Sequence, residues 1–195
     1  EKYHVSDNNK AVAFRVIADH IRAISFAIAD GQLPSNKDAG YVIRRILRRA
    51  VRYGYTYLKF TEPFLCELVP VISKQFSEVF PELHKQEAFV TKVIREEELS
   101  FFKTLSAGVK RFEDIQKELA KQNTTTINGR AAFELFDTYG FPKDLTMLIA
   151  QENNLTVDEA EFEVALKEQK ERSKAASKVE NDDWVELHPI AKTNF

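Results

Sequence analysis

Residues 40–55 read GYVIRRILRRAVRYGY and combine two opposite chemistries in one short segment. At roughly 100° per residue, its five arginines fall within an arc of about 140° on a helix. These are Arg44, Arg45, Arg48, Arg49 and Arg52. The other side of that helix would carry apolar residues, namely Val42, Ile43, Ile46, Leu47, Ala50, Val51 and Tyr53. The pattern predicts an amphipathic helix from about residue 41 to about residue 57, with one packed face and one cationic face.

Helical spacing continues on both sides of this segment. Before it, apolar residues recur every three or four positions, and Gly31 follows the last of them. These residues are Phe14, Ile17, Ile21, Ile24 and Ile28. After it, residues 84–121 lack proline and predict one long helix, of about 55 Å if it is continuous, that Gly108 could bend. Its apolar stripe is Phe89, Val93, Phe101, Phe102, Leu105, Val109, Phe112, Ile115 and Leu119. With only six Gly and six Pro, the chain is predicted to be all-α.

Turn-forming segments in the chain predict two packed helical subdomains and an irregular C-terminal tail. The stretch QNTTTINGR at 122–130 combines a β-branched polar run with Asn-Gly, which favours a boundary there. We therefore predict a first subdomain at 1–121, a second at 122–179 and a linker at 180–195 into further sequence. Within the second subdomain, Thr156 and Glu159 have the spacing of a capping box. In the long helix, Glu96, Glu97 and Glu98 are expected to fan out into water.

Composition excludes several classes of site. The only cysteine, Cys66, rules out an internal disulfide framework and cysteine-rich zinc sites, and it favours a reducing, cytoplasmic setting. The four histidines are scattered, so no metal site is predicted, and no Gly-rich phosphate loop or nucleophile motif indicates a catalytic centre. No uncharged apolar window is long enough to predict a membrane partner. The start without Met suggests a fragment of a longer chain.

The arginine face is the first candidate binding surface. The net charge is −2, yet residues 1–60 carry 11 Lys and Arg against 5 Asp and Glu, a balance of +6. No acidic residue lies between Asp38 and Glu62 to neutralise the arginines. A solvated helix face is the plain alternative. Guanidinium groups match phosphate oxygens, however, so the pattern favours a polyanion.

Phosphate contacts position a ligand without reading its sequence, so other residues must supply specificity. Asn36 lies in the turn PSNKDAG just before the cationic helix, although it and Ser35 could simply shape that turn. In FDTYGFPKD, Asp137 and Asp144 flank a Gly-Phe-Pro turn. Asp144 could complement a helix dipole, whereas Asp137, near a helix end, has no such role.

Three segments together resemble the alanyl-tRNA synthetase family: RVIADHIRAISFAIADGQLPSN, GYVIRRILRRAVRYG and FDTYGFPKDLT. The resemblance implies the helical tRNA-recognition region, which lies after the class II catalytic core and before the editing domain. It implies no catalytic residue and no cofactor in this piece, with ATP and Mg in the parent catalytic domain and Zn in the parent editing domain. The implied partners are the tRNA(Ala) acceptor stem and the catalytic and editing domains of the same parent chain.

The resemblance also assigns roles to residues. The parent enzyme attaches alanine to its tRNA and recognises a G·U wobble pair in the acceptor stem, which we expect to be read from the minor groove. Carried over, the base-recognising residues are Asn36 and Asp137, with Asp144 as the substitute for Asp137. The five arginines would hold the stem backbone. In one departure, Asp38-Ala39 replaces the usual Gly-Arg of the family, beside Asn36.

Two other functions remain at this point. A helical protein-interaction module would use the apolar stripe of residues 89–119 as a docking surface, and a structure would show it as a large exposed patch. A free-standing enzyme would need a pocket in which titratable groups converge.

Overall fold

The computed structural model describes residues 8–176, and helices dominate this part of the chain. The helices are α1 (Asn8–Ala29), α2 (Asp38–Tyr53), α3 (Val69–Phe76), α4 (Pro81–Lys85), α5 (Glu87–Lys121), α6 (Gly129–Asp137), α7 (Lys143–Glu152) and α8 (Glu159–Ala176). Two strands, β1 (Thr126–Ile127) and β2 (Thr156–Val157), pair in parallel. The all-α prediction is confirmed. The predicted linker at 180–195 lies outside the described residues.

Helix α1 buries the isoleucines that its spacing predicted and packs against α2. Gly31 follows with a φ of 88°, a left-handed conformation that glycine adopts without a steric penalty. Phe14 is the exception, because 50% of its surface is exposed. It continues the helical spacing of Ile17, Ile21, Ile24 and Ile28 but does not join the core.

The predicted cationic helix is also present. It is α2, continued by a π-helical turn over Gly54–Leu58. Gly54 is required there because a Cβ at this position would overlap the ring of Phe64. Lys59 then takes a left-handed φ of 62°, and the helix ends.

The long helix α5 runs without interruption through Gly108 and is roughly 52 Å long. The absent side chain of Gly108 leaves room for the ring of Phe141, which a Cβ would overlap. Most of the predicted stripe is buried or half-buried in the core, although Phe89 remains exposed. The stripe is therefore an internal surface, and the interaction-module alternative loses the docking face on which it was based.

The expectation that all three consecutive glutamates face water is wrong for two of them. Glu97 is 9% exposed and Glu98 is fully buried. The Glu98 carboxylate accepts three backbone hydrogen bonds of 2.9 Å from the turn before α3, donated by Phe64, Leu65 and Cys66. Burial raises the pKa of Glu98, although these donors counteract the rise. The segment between α2 and α3 is thus fixed to α5 by a carboxylate.

The start of α8 differs from the predicted capping box. Thr156 belongs to β2, and its hydroxyl lies 3.0 Å from that of Thr126 on β1. Asp158 caps the helix instead, because its carboxylate accepts the backbone N–H of Glu161 at 2.9 Å. The strand pairing shifts the helix start past Thr156.

One cluster of buried apolar side chains runs through both halves of the described chain. It includes the edge contact of Phe101 on α5 with Phe141, whose ring centroids are 5.6 Å apart. The division into subdomains at 121/122 stays a prediction.

A partly buried ion pair also joins the two halves. Arg52 on α2 is 3% exposed, and its guanidinium donates to both carboxylate oxygens of Glu152 on α7. The hydroxyls of Tyr53 and Tyr57 donate to the same carboxylate at 3.1 and 3.0 Å. All these partners converge on Glu152, so this carboxylate ties α2 and the π-helical turn to α7.

We expect Glu152 to make stability depend on pH. Burial alone would raise the pKa of Glu152. Arg52 and the two tyrosine hydroxyls lower it by more than burial raises it, so the net pKa lies below the usual 4.5. The unfolded chain therefore takes up this proton first, and the stabilisation is complete above pH 4.5 and lost as the pH falls through the lower folded-state pKa. In urea titrations, the stability advantage of wild type over Glu152→Gln should shrink below that pH. An advantage that stays constant down to about pH 3 would contradict this.

Candidate nucleic-acid interface

A cleft of about 400 Å³ opens where the start of α2, the turn after α6 and the middle of α8 meet. Its polar lining consists of Asn36, Tyr41, Arg44, Arg48, Asp137, Gln169 and Lys170. Phe136, Pro142 and Leu166 form apolar parts of its wall. Three segments that are far apart in the sequence therefore contribute to one concave surface.

The cleft brings together two of the three predicted base-recognising residues. Asn36 and Asp137 are about 100 positions apart in the sequence, and both are exposed side chains on its lining. Asp144 is not among the lining residues. It is half-buried, and its Oδ2 lies 3.4 Å from the Nε of Arg45. Burial raises the pKa of Asp144, while the Arg45 charge opposes that rise.

The turn before α2 orients the Asn36 amide. Ser35 closes this turn, since its hydroxyl donates to the Lys37 carbonyl at 2.8 Å and accepts the Lys37 N–H at 3.2 Å. Asn36 is not needed for that purpose. Its Oδ1 accepts a hydrogen bond from Arg44 Nη1, so the amide N–H groups remain free to donate to a ligand.

Asp38, which replaces the usual glycine of the resembling family, takes a left-handed φ of 51°. Glycine adopts this conformation most easily, and Asp is among the few other residues that tolerate it. The backbone beside Asn36 thus keeps a conformation that suits glycine.

The expectation of an exposed, unneutralised arginine face is wrong. Arg52 is buried against Glu152, so it cannot hold an RNA backbone. Three more arginines of this face form ion pairs. Arg44 and Arg48 pair with Glu97, and Arg45 pairs with Asp144. Arg49 has a buried Nε without a hydrogen-bond partner in the described chain. These acids come from α5 and α7, which a local window of sequence does not include.

Glu97 is shared by two of these arginines. Its Oε1 accepts from Arg48 Nε at 2.9 Å and Nη2 at 2.7 Å, and Arg44 Nε lies 3.0 Å away. Arg48 Nη1 also donates to the Gly140 carbonyl at 2.6 Å. Arg48 therefore links α2 to α5 and to the turn that follows α6.

We expect Gly140→Ala to lower the free energy of unfolding by about 1–3 kcal/mol. Gly140 has a φ of 71°, and a Cβ there would lie 2.5 Å from Arg48 Nη1. Gly31→Ala is the matched control, because Gly31 also has a positive φ but has nothing within 4 Å of its Cβ position. Urea denaturation should show a larger loss at Gly140. Equal losses would mean that the contact with Arg48 contributes nothing.

Sequence reasoning missed Glu97, Tyr41, Gln169 and Lys170 in this region. The two residues from α8 lie in the run KEQKERSK, whose composition is that of an ordinary solvated helix. Tyr41 is an ordinary helix residue in sequence, whereas in the structure burial and the Asp144 charge raise the pKa of its hydroxyl. No local signal distinguishes these residues, because only the fold brings them to the cleft.

The arrangement combines cations with directional hydrogen-bonding groups. Arg44 and Lys170 are positive, the Asp137 carboxylate only accepts hydrogen bonds, and the Asn36 amide donates. Such a set suits a polyanion that displays both donors and acceptors. Within residues 8–176 there is no cluster of three or more His, Cys, Asp or Glu residues that could hold a metal ion. Among the helices in this part of the chain, none has the length and hydrophobicity of a membrane span.

Comparison with known proteins adds independent information. A family model described as "tRNA synthetases class II (A)" matches residues 1–194. The alanine–tRNA ligase of Cytophaga hutchinsonii is 60% identical over 180 residues, which is 92% of this chain and 20% of that protein. That of Christiangramia forsetii is 53% identical over 193 residues, or 99% of this chain and 22% of the relative. That of Porphyromonas gingivalis is 51% identical over 181 residues, 93% and 21% respectively. The chain spans about a fifth of the length of these relatives.

Proposed function

Because this chain belongs to the family of class II tRNA synthetases (A), we propose that it is the tRNA-recognition region of an alanine–tRNA ligase. The high identity to alanine–tRNA ligases supports this parent enzyme, which would attach alanine to tRNA(Ala) using ATP. The chain spans about a fifth of these relatives, and our proposal assigns catalysis to other parts of the parent, with ATP and Mg in the catalytic core and Zn in the editing domain. Alanine-dependent pyrophosphate exchange by this chain alone would contradict that division.

We propose that the cleft binds the acceptor stem of tRNA(Ala) and reads its G·U pair. The observation that carries this is the meeting of Asn36 and Asp137 in one cleft beside Arg44 and Lys170. The acceptor stem is an A-form helix whose shallow minor groove admits side chains. A cleft with cations beside an amide and a carboxylate matches phosphates beside base edges.

The chemistry of a G·U wobble fits these two groups. The wobble leaves the guanine exocyclic amino group without its usual partner, and a carboxylate such as Asp137 accepts from it. The uracil carbonyl needs a donor. Because Arg44 occupies the Asn36 Oδ1, the amide N–H groups of Asn36 are the groups left to donate to that carbonyl. A G·C pair keeps its amino group paired and offers a weaker match.

The backbone part of the proposal is tested at Lys170. A lysine that neutralises one phosphate should weaken binding of every stem alike when it is removed, and should reduce the slope of log affinity against log salt by about 1. We expect this of Lys170→Gln in fluorescence titrations with acceptor-stem minihelices. Lys167→Gln is the control, since Lys167 is an exposed lysine on the same helix outside the cleft. Unchanged salt slopes in both variants would contradict phosphate binding at the cleft.

A further inference from the structure

We propose that Glu97 is a positioning residue for the G·U selectivity of the cleft, a role that rests on the proposed function. Glu97 does not line the cleft, and it lies on α5 behind the side chains that do. Its carboxylate holds two guanidinium groups, each of which contacts one of the two segments that carry Asn36 and Asp137. It therefore sets the position of both base-reading groups from a single point.

The first connection leads to Asn36. Glu97 Oε1 lies 3.0 Å from the Nε of Arg44, and the opposite end of the same guanidinium donates to Asn36 Oδ1. The contact at Nε is an ion pair without a hydrogen bond. Because a guanidinium is planar and rigid, the attraction of the Glu97 carboxylate for its Nε side also constrains the direction of its Nη1. Through this contact Glu97 determines which way the Asn36 amide presents its N–H groups.

The second connection leads to the segment of Asp137. Glu97 Oε1 accepts from Arg48 at 2.9 and 2.7 Å, and Arg48 Nη1 donates to the Gly140 carbonyl at 2.6 Å. Gly140 follows Asp137 by three positions, in the turn that begins where α6 ends. Asn36 and the segment of Asp137 are thus connected through two arginines that share one carboxylate oxygen of Glu97.

The charge of Glu97 is essential to this arrangement. Arg44 and Arg48 both approach the same oxygen, and two guanidiniums so close together would repel each other without an anion between them. Glu97 is 9% exposed, so water screens this repulsion poorly. Replacing the carboxylate with an amide should release both connections at once, while the groups that touch the RNA stay in the chain.

The test uses the full-length ligase that carries this sequence, with aminoacylation of acceptor-stem minihelices containing G·U or G·C. We expect Glu97→Gln to lower the G·U over G·C ratio of kcat/KM by about tenfold or more, because displacement of positioned groups is costly. Glu96→Gln is the matched control, with the same change of charge on the same helix. Glu96 is exposed, and its ion pair is a loose one with Lys92 at 3.9 Å. We expect its ratio to remain that of wild type.

A double variant separates positioning from a general loss of structure. If Glu97 acts through Asn36 and Asp137, then Glu97→Gln should cost less selectivity in the Asn36→Ala background than in wild type, because only the connection to Asp137 is left to lose. Fully additive losses, or wild-type selectivity in Glu97→Gln, would overturn the inference. If Asn36→Ala itself leaves selectivity intact, the proposed function fails, and the inference fails with it.

A second variant keeps the test informative if Glu97→Gln does not fold. Arg44→Lys retains the positive charge toward RNA but lacks the rigid fork that reaches both Glu97 and Asn36. We expect it to lose selectivity as well, with thermal unfolding close to that of wild type. Wild-type selectivity in Arg44→Lys would overturn the connection to Asn36.

Discussion

Replacing Glu152 with alanine is expected to lower the free energy of unfolding by about 3–5 kcal/mol. The substitution leaves the Arg52 guanidinium, which is 3% exposed, without its carboxylate. The hydroxyls of Tyr53 and Tyr57 lose their acceptor at the same time. A buried charge without a partner costs far more than the pair itself contributes. Urea denaturation of the chain measures this loss directly.

Two further variants test the explanation of that expected loss. The double variant Arg52→Met/Glu152→Leu removes both charges, so it should be more stable than Glu152→Ala even though it changes one more residue. Glu171→Ala, at an exposed position on α8, should stay within about 0.5 kcal/mol of wild type. A loss below about 1 kcal/mol in Glu152→Ala would mean that the pair is solvated rather than buried.

Asn36→Ala and Asp137→Ala are each expected to narrow the preference for G·U over G·C stems by about 1–3 kcal/mol. Each variant removes one hydrogen-bonding group aimed at a base and leaves the cations of the cleft in place. Affinity for the G·C stem should therefore change little. Binding titrations with both stems at one salt concentration give the preference as a ratio.

Asp144→Ala is the control for Asp137→Ala. Asp144 is paired with Arg45 and is not part of the cleft lining, so its loss should leave the G·U preference unchanged. If Asp144→Ala removes the preference and Asp137→Ala does not, then Asp144 recognises the G·U pair and Asp137 does not.

The helices were predictable because each buries a stripe with helical period. Ile17, Ile21, Ile24 and Ile28 follow that period, and all four are in the core. The burial of the first residue in each stripe was not predictable in the same way. Phe14 and Phe89 are large and apolar, yet the helix turns them toward solvent. Hydrophobicity alone does not show where a packed face ends.

Charged residues were predicted least well, because their partners are distant in sequence. Glu97 and Glu98 read as part of a solvated run, and the arginines read as unneutralised. Their environments come from the packing of α2 against α5 and α7. A window of local sequence contains neither the partner nor the burial that makes the pair necessary.

The candidate site was predictable only in part. Asn36 and Asp137 were singled out by their turns and by the family resemblance, but nothing in their spacing places them together. Lys170 and Gln169 gave no signal at all. A cleft formed by three separate segments is a property of the fold, so the fold had to be known before the cleft was visible.

The most direct measurement is the relative affinity of the Asn36→Ala/Asp137→Ala double variant for minihelices that differ only in G·U or G·C at the recognised pair. If these two side chains read the wobble, the variant should bind both stems equally and still bind them through the cations of the cleft. A double variant that keeps the full wild-type preference for G·U would show that the cleft does not read the pair.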